Sequence, residues 1–268
     1  MEIHSYINAA ILGILEGLTE FLPVSSTGHL ILTIDLLKFN LPPGRVFEIV
    51  IQFGAILAIC ALYSGKLYRV ARGALKGDKE SLAFIRNIAL AFFPAMLVGA
   101  FARDYIKAAL FNPTVVSTAL IVGGIAMLLI EKYRPPARIK DTESMGWLLA
   151  LKLGVFQCLA MIPGTSRSGA TIMGAMLCGM ERKAAAEFSF FLAIPTMLGA
   201  ATFDLYKNRA LLDSNDEALI LTGFITAFIT ALLVVRWVVG FISRNGFSVF
   251  AWYRIALGST ILGFLYLT

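Results

Sequence analysis

Charge is what this sequence has least of. Only 15% of its 268 residues are Asp, Glu, Lys or Arg, against about 25% in a soluble globular chain. That shortage sets aside a water-soluble protein, even one with an unusually large core. Cysteine is scarce too. Cys60, Cys158 and Cys178 stand alone in apolar segments, without the paired spacing of a disulfide framework or a metal site, and read as small buried residues. The first apolar stretch lacks a basic flank and carries Glu2, Glu16 and Glu20 instead, so no cleavable signal peptide is expected. Nor does the net charge of +6 form a nucleic-acid-binding patch. Lys and Arg fall mainly between apolar segments, where they set orientation in a membrane.

What is there is apolar. Hydrophobic residues make up 58% of the chain and the mean hydropathy is +0.79. Runs of the length a spanning helix needs recur from end to end. The expected fold is an all-α polytopic membrane protein forming one domain over residues 1–268. Six stretches are long enough to cross: about 45–64, 87–104, 114–131, 187–206, 218–238 and 248–267. Two others, 6–37 and 146–180, are apolar at both ends and broken in the middle, at Leu22 to Gly28 and at Pro163 to Gly169. Proline stops a helix and a Ser/Thr run caps the next, so each predicts two half-helices meeting at a polar turn. Such backbone is tolerated at membrane depth only inside protein or beside water.

The broken stretches resemble each other. GILEGLTEFLPVSSTGHLIL from Gly13 and GVFQCLAMIPGTSRSGATIM from Gly154 align without a gap at an offset of 141 residues. Gly13/Gly154, Leu18/Leu159, Ser25/Ser166, Gly28/Gly169 and Ile31/Ile172 are identical, and Glu16 faces Gln157. This predicts an internal repeat, about 1–134 and about 145–268. Basic residues crowd 65–86, 132–140, 182–183 and Arg244, and all four belong in the cytoplasm by the positive-inside rule. They can lie there together if each broken stretch is a re-entrant hairpin. Each half is then one hairpin plus three crossings, and the second half is inverted relative to the first. Connections near 38–45, 105–113 and 207–217 fall on the outer face.

The broken stretches also hold the chemistry. Glu16 and Glu20 are four apart and share a helix face with Gly13 and Gly17. A carboxylate at the centre of a membrane helix costs about 2.5–3.5 kcal/mol, so two on one face point to function. Beyond Pro23 come Ser25, Ser26, Thr27 and His29, at a helix start whose free N–H groups favour an anion. A hydroxyl, an imidazole and two carboxylates in one segment suit an activated nucleophile. Arg167 stands in the second turn among Gly164, Ser166 and Ser168, with Thr171 one turn on. Its guanidinium matches phosphate oxygens bidentately; an internal salt bridge to Glu16 or Glu20 is the competing role. Glu48 and Glu187 are expected near helix starts, and Arg254, beside Trp252 and Tyr253, as an interfacial anchor.

At these residues the sequence resembles the bacterial undecaprenyl-diphosphate phosphatases, the bacitracin-resistance family. The family's ExxxE element falls on Glu16 and Glu20, and its Ser-Ser-Thr-Gly-His element on residues 25–29. Its PGxSRSxxT element falls on Pro163, Gly164, Ser166, Arg167, Ser168 and Thr171. The resemblance implies hydrolysis of undecaprenyl diphosphate to the monophosphate and inorganic phosphate, recycling the lipid carrier of cell-wall synthesis and conferring bacitracin resistance. It implies a divalent cation, Mg or Ca, for which Glu16 and Glu20 are the expected ligands. It also implies a plasma-membrane site facing the periplasm, an isoprenyl diphosphate substrate, and membrane lipids as surroundings. On that footing Glu20, Ser26, His29, Arg167 and Glu16 are the expected catalytic set. Ser25, Thr27, Gly164, Ser166, Ser168 and Thr171 are the expected substrate contacts. Serine, histidine or water as nucleophile, and monomer or homodimer, stay open. Broken helices in an inverted repeat equally suit a transporter or flippase of an anionic substrate.

Overall fold

The computed structural model describes residues 2–37, 39, 46–208 and 217–267. Among them lie eleven α-helices, one short 3-10 turn and a single isolated β-bridge. The connections near 38–45 and 207–217, expected on the outer face, lie largely outside the described residues. Among the described residues, four helices have the length and apolarity to cross a membrane: α5 (Lys79–Leu110, over Lys79–Ala102), α6 (Pro113–Tyr133), α10 (Glu217–Asn245) and α11 (Ser248–Leu267). They correspond to four of the six expected crossings. The fifth, 45–64, is α3 (Val46–Leu62), which turns by 73° into the short basic helix α4 (Ser64–Leu75). The sixth, 187–206, lies within α9 (Arg182–Asn208), a helix outside those four. Local chemistry sets two of these starts. Asp78 caps α5 by accepting from the Ser81 amide at 2.9 Å, and Asn112 caps α6 at Val115, with Pro113 at the first helical position.

Each broken stretch is a pair of helices with a turn between them. α1 (Glu2–Thr19) and α2 (Ser26–Leu37) form the first; α7 (Trp147–Cys158), the 3-10 turn Leu159–Met161 and α8 (Arg167–Leu177) form the second. A full crossing by 146–180 would separate residues near 131–145 from those near 180 by the thickness of the bundle. Instead Ile139 bridges to Met180 and Arg182 pairs with Glu131. Lys66 bonds Glu143 and Thr142, and Gly246 sits against Glu131 and Arg182. The basic connections therefore meet at one end of the described helices.

The halves interlock. α1 and α3 pack on α10, α7 packs on α5, and α6 packs on α11, so much of the burial is made across the two halves. The core mixes alanine, aliphatic and aromatic residues such as Phe21, Ala55, Ala91, Leu153, Phe190 and Ala231. Outward, large apolar side chains stand bare: Phe101, Leu233 and Phe264 are each more than 60% exposed. That surface suits lipid rather than water. An apolar groove of about 510 Å³ runs along α6 against α7 and α8, and ends beside the second turn at Thr165 and Gly169.

Helix α1 lies close to α10 because Gly13 and Gly17 present no side chain. A Cβ on Gly17 would sit 2.6 Å from the Ala227 carbonyl and 2.7 Å from Thr230 Cβ. Overpacking of this kind costs about 1–3 kcal/mol. Gly17→Ala is therefore expected to lower the thermal midpoint of the detergent-solubilised protein. Gly240→Ala, where a Cβ meets nothing within 4 Å, should leave it unchanged or raised by the better helix propensity of alanine.

Candidate active site

The two turns share an uncommon backbone. Ser25 and Ser166 are the only non-glycine residues of positive φ among the described residues, at 71° and 73°. They are the positions that the 141-residue offset aligns. Such a conformation costs a residue with a Cβ about 1–3 kcal/mol. Each serine repays part of it by capping the helix that follows. Ser25 Oγ accepts from the Gly28 amide at 3.4 Å, and Ser166 Oγ from the Gly169 amide at 3.1 Å. The first amides of α2 and α8, at Ser26, Thr27, Arg167 and Ser168, thus point back toward the turns, where helix ends favour an anion.

Side chains tie the turns together. Ser168 is fully buried; its hydroxyl donates to the Leu22 carbonyl at 2.9 Å and lies 3.0 Å from Ser166 Oγ. Arg167 reaches across to Glu20, with Nη2 and Nε 3.3 and 3.4 Å from Oε1. Its Nη1 donates to the Ser189 carbonyl at 2.8 Å and contacts Ser189 Oγ at 3.4 Å. A guanidinium has five N–H bonds, so one Nη2 hydrogen remains uncommitted among the described residues. Thr171 donates to the Arg167 carbonyl at 2.9 Å and lies 2.6 Å from Ser189 Oγ, so it supports the arginine from behind. The other oxygen of Glu20 accepts from the Ser26 hydroxyl at 2.5 Å. Glu20 is thus shared between a hydroxyl and a guanidinium, all three largely buried.

Glu16 is wholly buried, and neither of its oxygens has a hydrogen-bond partner among the described residues. Glu20, Glu48 and Arg167 are its charged or titratable neighbours. No group of three His, Cys, Asp or Glu side chains converges as a ready-made metal centre among the described residues. Two carboxylates, one of them bare, do fit a hard cation that takes its other ligands from water and phosphate, as Mg commonly does.

The ring nitrogens of His29 bond to groups other than Ser26 and Glu20. Its Nδ1 lies 2.8 Å from the Ser25 carbonyl, which can only accept, so Nδ1 carries a proton. Nε2 lies 2.6 Å from the Tyr253 hydroxyl, and the two rings stack at 5.5 Å. Thr27 is half-buried on α2 and takes no part in these bonds. Gly164 has φ +93° and lies against the Val116 carbonyl, where a side chain would not fit.

Two expectations are corrected. Arg254 is not an interfacial anchor: it is 1% exposed and bonded to five backbone carbonyls. Its neighbour Trp252 does face outward. Glu187 lies inside α9 rather than at its start. Ser189 and Tyr253 sit in no motif, and only the fold brings them to α8 and α2.

Residues 9–260 match the family profile described as bacitracin resistance protein BacA. The chain belongs to that family. Among relatives of this family, an undecaprenyl-diphosphatase of Parvibaculum lavamentivorans is 55% identical over 258 residues, 96% of each chain. Undecaprenyl-diphosphatase 2 of Paramagnetospirillum magneticum is 54% identical over 253 residues, 94% of this chain and 96% of its own. An undecaprenyl-diphosphatase of Acinetobacter baumannii is 53% identical over 262 residues, 98% and 96%.

The link between the turns has a measurable consequence. Ser168→Ala takes the acceptor from a buried Ser166 hydroxyl and a donor from the Leu22 carbonyl. It is expected to destabilise the folded protein by about 1–3 kcal/mol, read from the shift in thermal unfolding in detergent.

Proposed function

We propose that this protein is an integral membrane phosphatase that hydrolyses undecaprenyl diphosphate to undecaprenyl phosphate and inorganic phosphate. In doing so it recycles the lipid carrier of cell-wall synthesis and confers bacitracin resistance. The observation that carries the mechanism is Glu20, with one oxygen on the Ser26 hydroxyl and the other on Arg167. Family membership and the names of the relatives support the substrate.

Arg167 and the first-turn amides of α2 and α8 bind the diphosphate and neutralise charge that builds on the transferred oxygens. Glu20 takes the Ser26 proton, and Ser26 Oγ attacks the terminal phosphorus in line. The new Oγ–P bond forms as the P–O bond to the bridging oxygen breaks, and undecaprenyl phosphate leaves. Water then attacks the phosphoserine, Glu20 returns the proton to Oγ, and phosphate departs. Glu16 and Glu20 are the residues that would hold a divalent cation, Mg or Ca, which supplies further positive charge to the phosphate oxygens when bound. His29, held by the Ser25 carbonyl and Tyr253, keeps the first turn in shape. The isoprenyl tail lies between helices on the lipid side, where the groove along α6 gives apolar room beside the second turn.

The two halves act as an inverted repeat whose broken helices meet at the site. Their matched serine backbones and the gathering of basic connections at one end support this arrangement. With the basic end cytoplasmic, the site opens to the periplasm of the bacterial inner membrane.

A transporter of an anionic lipid would use the same buried charges, but it needs a sealed bilayer. The purified protein in detergent is expected to release inorganic phosphate from an isoprenyl diphosphate, and a chelator should stop it. Arg167→Lys keeps the charge and loses the fork, and should cost about 2–4 kcal/mol of transition-state stabilisation. That is roughly 30- to 1,000-fold in kcat/KM. Glu16→Gln should raise the cation concentration needed for half-maximal rate. Absence of phosphate release from folded protein contradicts the assignment, and an Arg167→Lys variant of unchanged kinetics contradicts the clamp.

A further inference from the structure

Arg254 on α11 lies beneath both turns, and the mechanism above does not use it. Its side chain is 1% exposed. Nη1 donates to the Pro23 carbonyl at 3.0 Å and the Thr165 carbonyl at 2.9 Å. Nη2 donates to Gly164 at 3.0 Å and to Ala119 at 3.1 Å, and Nε to Leu120 at 3.4 Å. A guanidinium has five N–H bonds, and all five are spent on backbone oxygens. Pro23 belongs to the first turn, Gly164 and Thr165 to the second, and Ala119 and Leu120 to α6. One side chain therefore ties both turns to a spanning helix. Among the described residues no carboxylate is bonded to it, so its positive charge stays unneutralised by its partners.

Room for it is built in. A Cβ on Gly123 would run into Nη2 and come within 2.9 Å of Cζ, and one on Gly169 would come within 3.2 Å of Nη1. The peptide unit is planar and trans, so its N–H points opposite to its C=O. When Thr165 turns its carbonyl to Arg254, the Ser166 amide is aimed at the far side of the turn. Serine at φ 73° is held in that orientation at a cost in backbone strain.

We propose that Arg254 is a positioning residue for the diphosphate site. It acts through the backbone of both turns, setting where Ser26 and Arg167 stand relative to each other and adding an unpaired positive charge beneath the bound anion. The proposal rests on the phosphatase assignment for its kinetics. Its geometry requires only that an anion bind between the turns.

The test uses Arg254→Lys, which keeps the charge but has three donors, and Gly123→Ala, which crowds the guanidinium without changing charge. Each is assayed for phosphate release per folded molecule, and for the rise in thermal midpoint that inorganic pyrophosphate gives. Both variants are expected to lose about 100-fold in kcat/KM, the scale of a misplacement of about 1 Å. Both should also lose the pyrophosphate-induced stabilisation seen in the unaltered protein. Combining Arg254→Lys with Arg167→Lys should lose little more than the worse single variant, because the two act on one alignment. A merely structural residue would lower the midpoint and leave turnover per folded molecule unchanged, with losses that multiply in the double variant. That result overturns the proposal, as does failure of both variants to fold. If the unaltered protein binds pyrophosphate but releases no phosphate, the phosphatase assignment fails, and the pyrophosphate shift alone decides for or against Arg254.

Discussion

Everything in this molecule is arranged around one carboxylate, Glu20, held between the Ser26 hydroxyl and the Arg167 guanidinium in an apolar bundle. A charge at that depth is costly, and removing one partner of a buried pair leaves the other uncompensated. The protein meets the cost with a pair from opposite halves. Glu20 comes from just beyond the end of α1 and Arg167 from the start of α8. Neither residue finds its partner unless both broken stretches are folded and facing, so the ion pair also registers the halves.

That pairing explains the backbone around it. Both broken stretches must stop a helix, reverse and begin another within a few residues, and buried peptide groups there need partners inside the protein. The solution is the same twice: a serine at positive φ whose hydroxyl caps the next helix. Ser168 closes one turn onto the other through Leu22, and Arg254 collects the carbonyls that the reversal exposes. Amides are left on one side and carbonyls are consumed on the other. The polarity between the turns thus comes from the main chain as much as from side chains.

Much of this was legible in the residues. The breaks at 22–28 and 163–169 and the alignment of Ser25 with Ser166 came from helix-stopping and capping chemistry, which is local and leaves a mark in the sequence. So did the placing of Glu16 and Glu20 on one face. The four apolar helices α5, α6, α10 and α11 lay close to where their hydropathy put them. What the residues hid is long-range. Arg254 lies between an exposed tryptophan and a lipid-facing stretch, a context that suits an anchor, and only the packing of α11 on α6 turns it inward. Ser189 sits in an apolar run and reaches Arg167 through its carbonyl, a group every residue has. His29 stands three residues after Ser26, yet its nitrogens are taken by the Ser25 carbonyl and by Tyr253, more than two hundred positions away. The bend into α4 likewise depends on packing against α5.

The central claim is that Glu20 activates Ser26 within the turn-to-turn ion pair. The most direct measurement is the steady-state rate of phosphate release by purified Glu20→Gln protein in detergent, beside its thermal midpoint. Gln keeps the shape and an acceptor for Arg167 but cannot take the hydroxyl proton. The account predicts a folded protein whose rate falls by about 100- to 10,000-fold, the range for loss of a general base. A folded Glu20→Gln variant that turns over at the unaltered rate would contradict it.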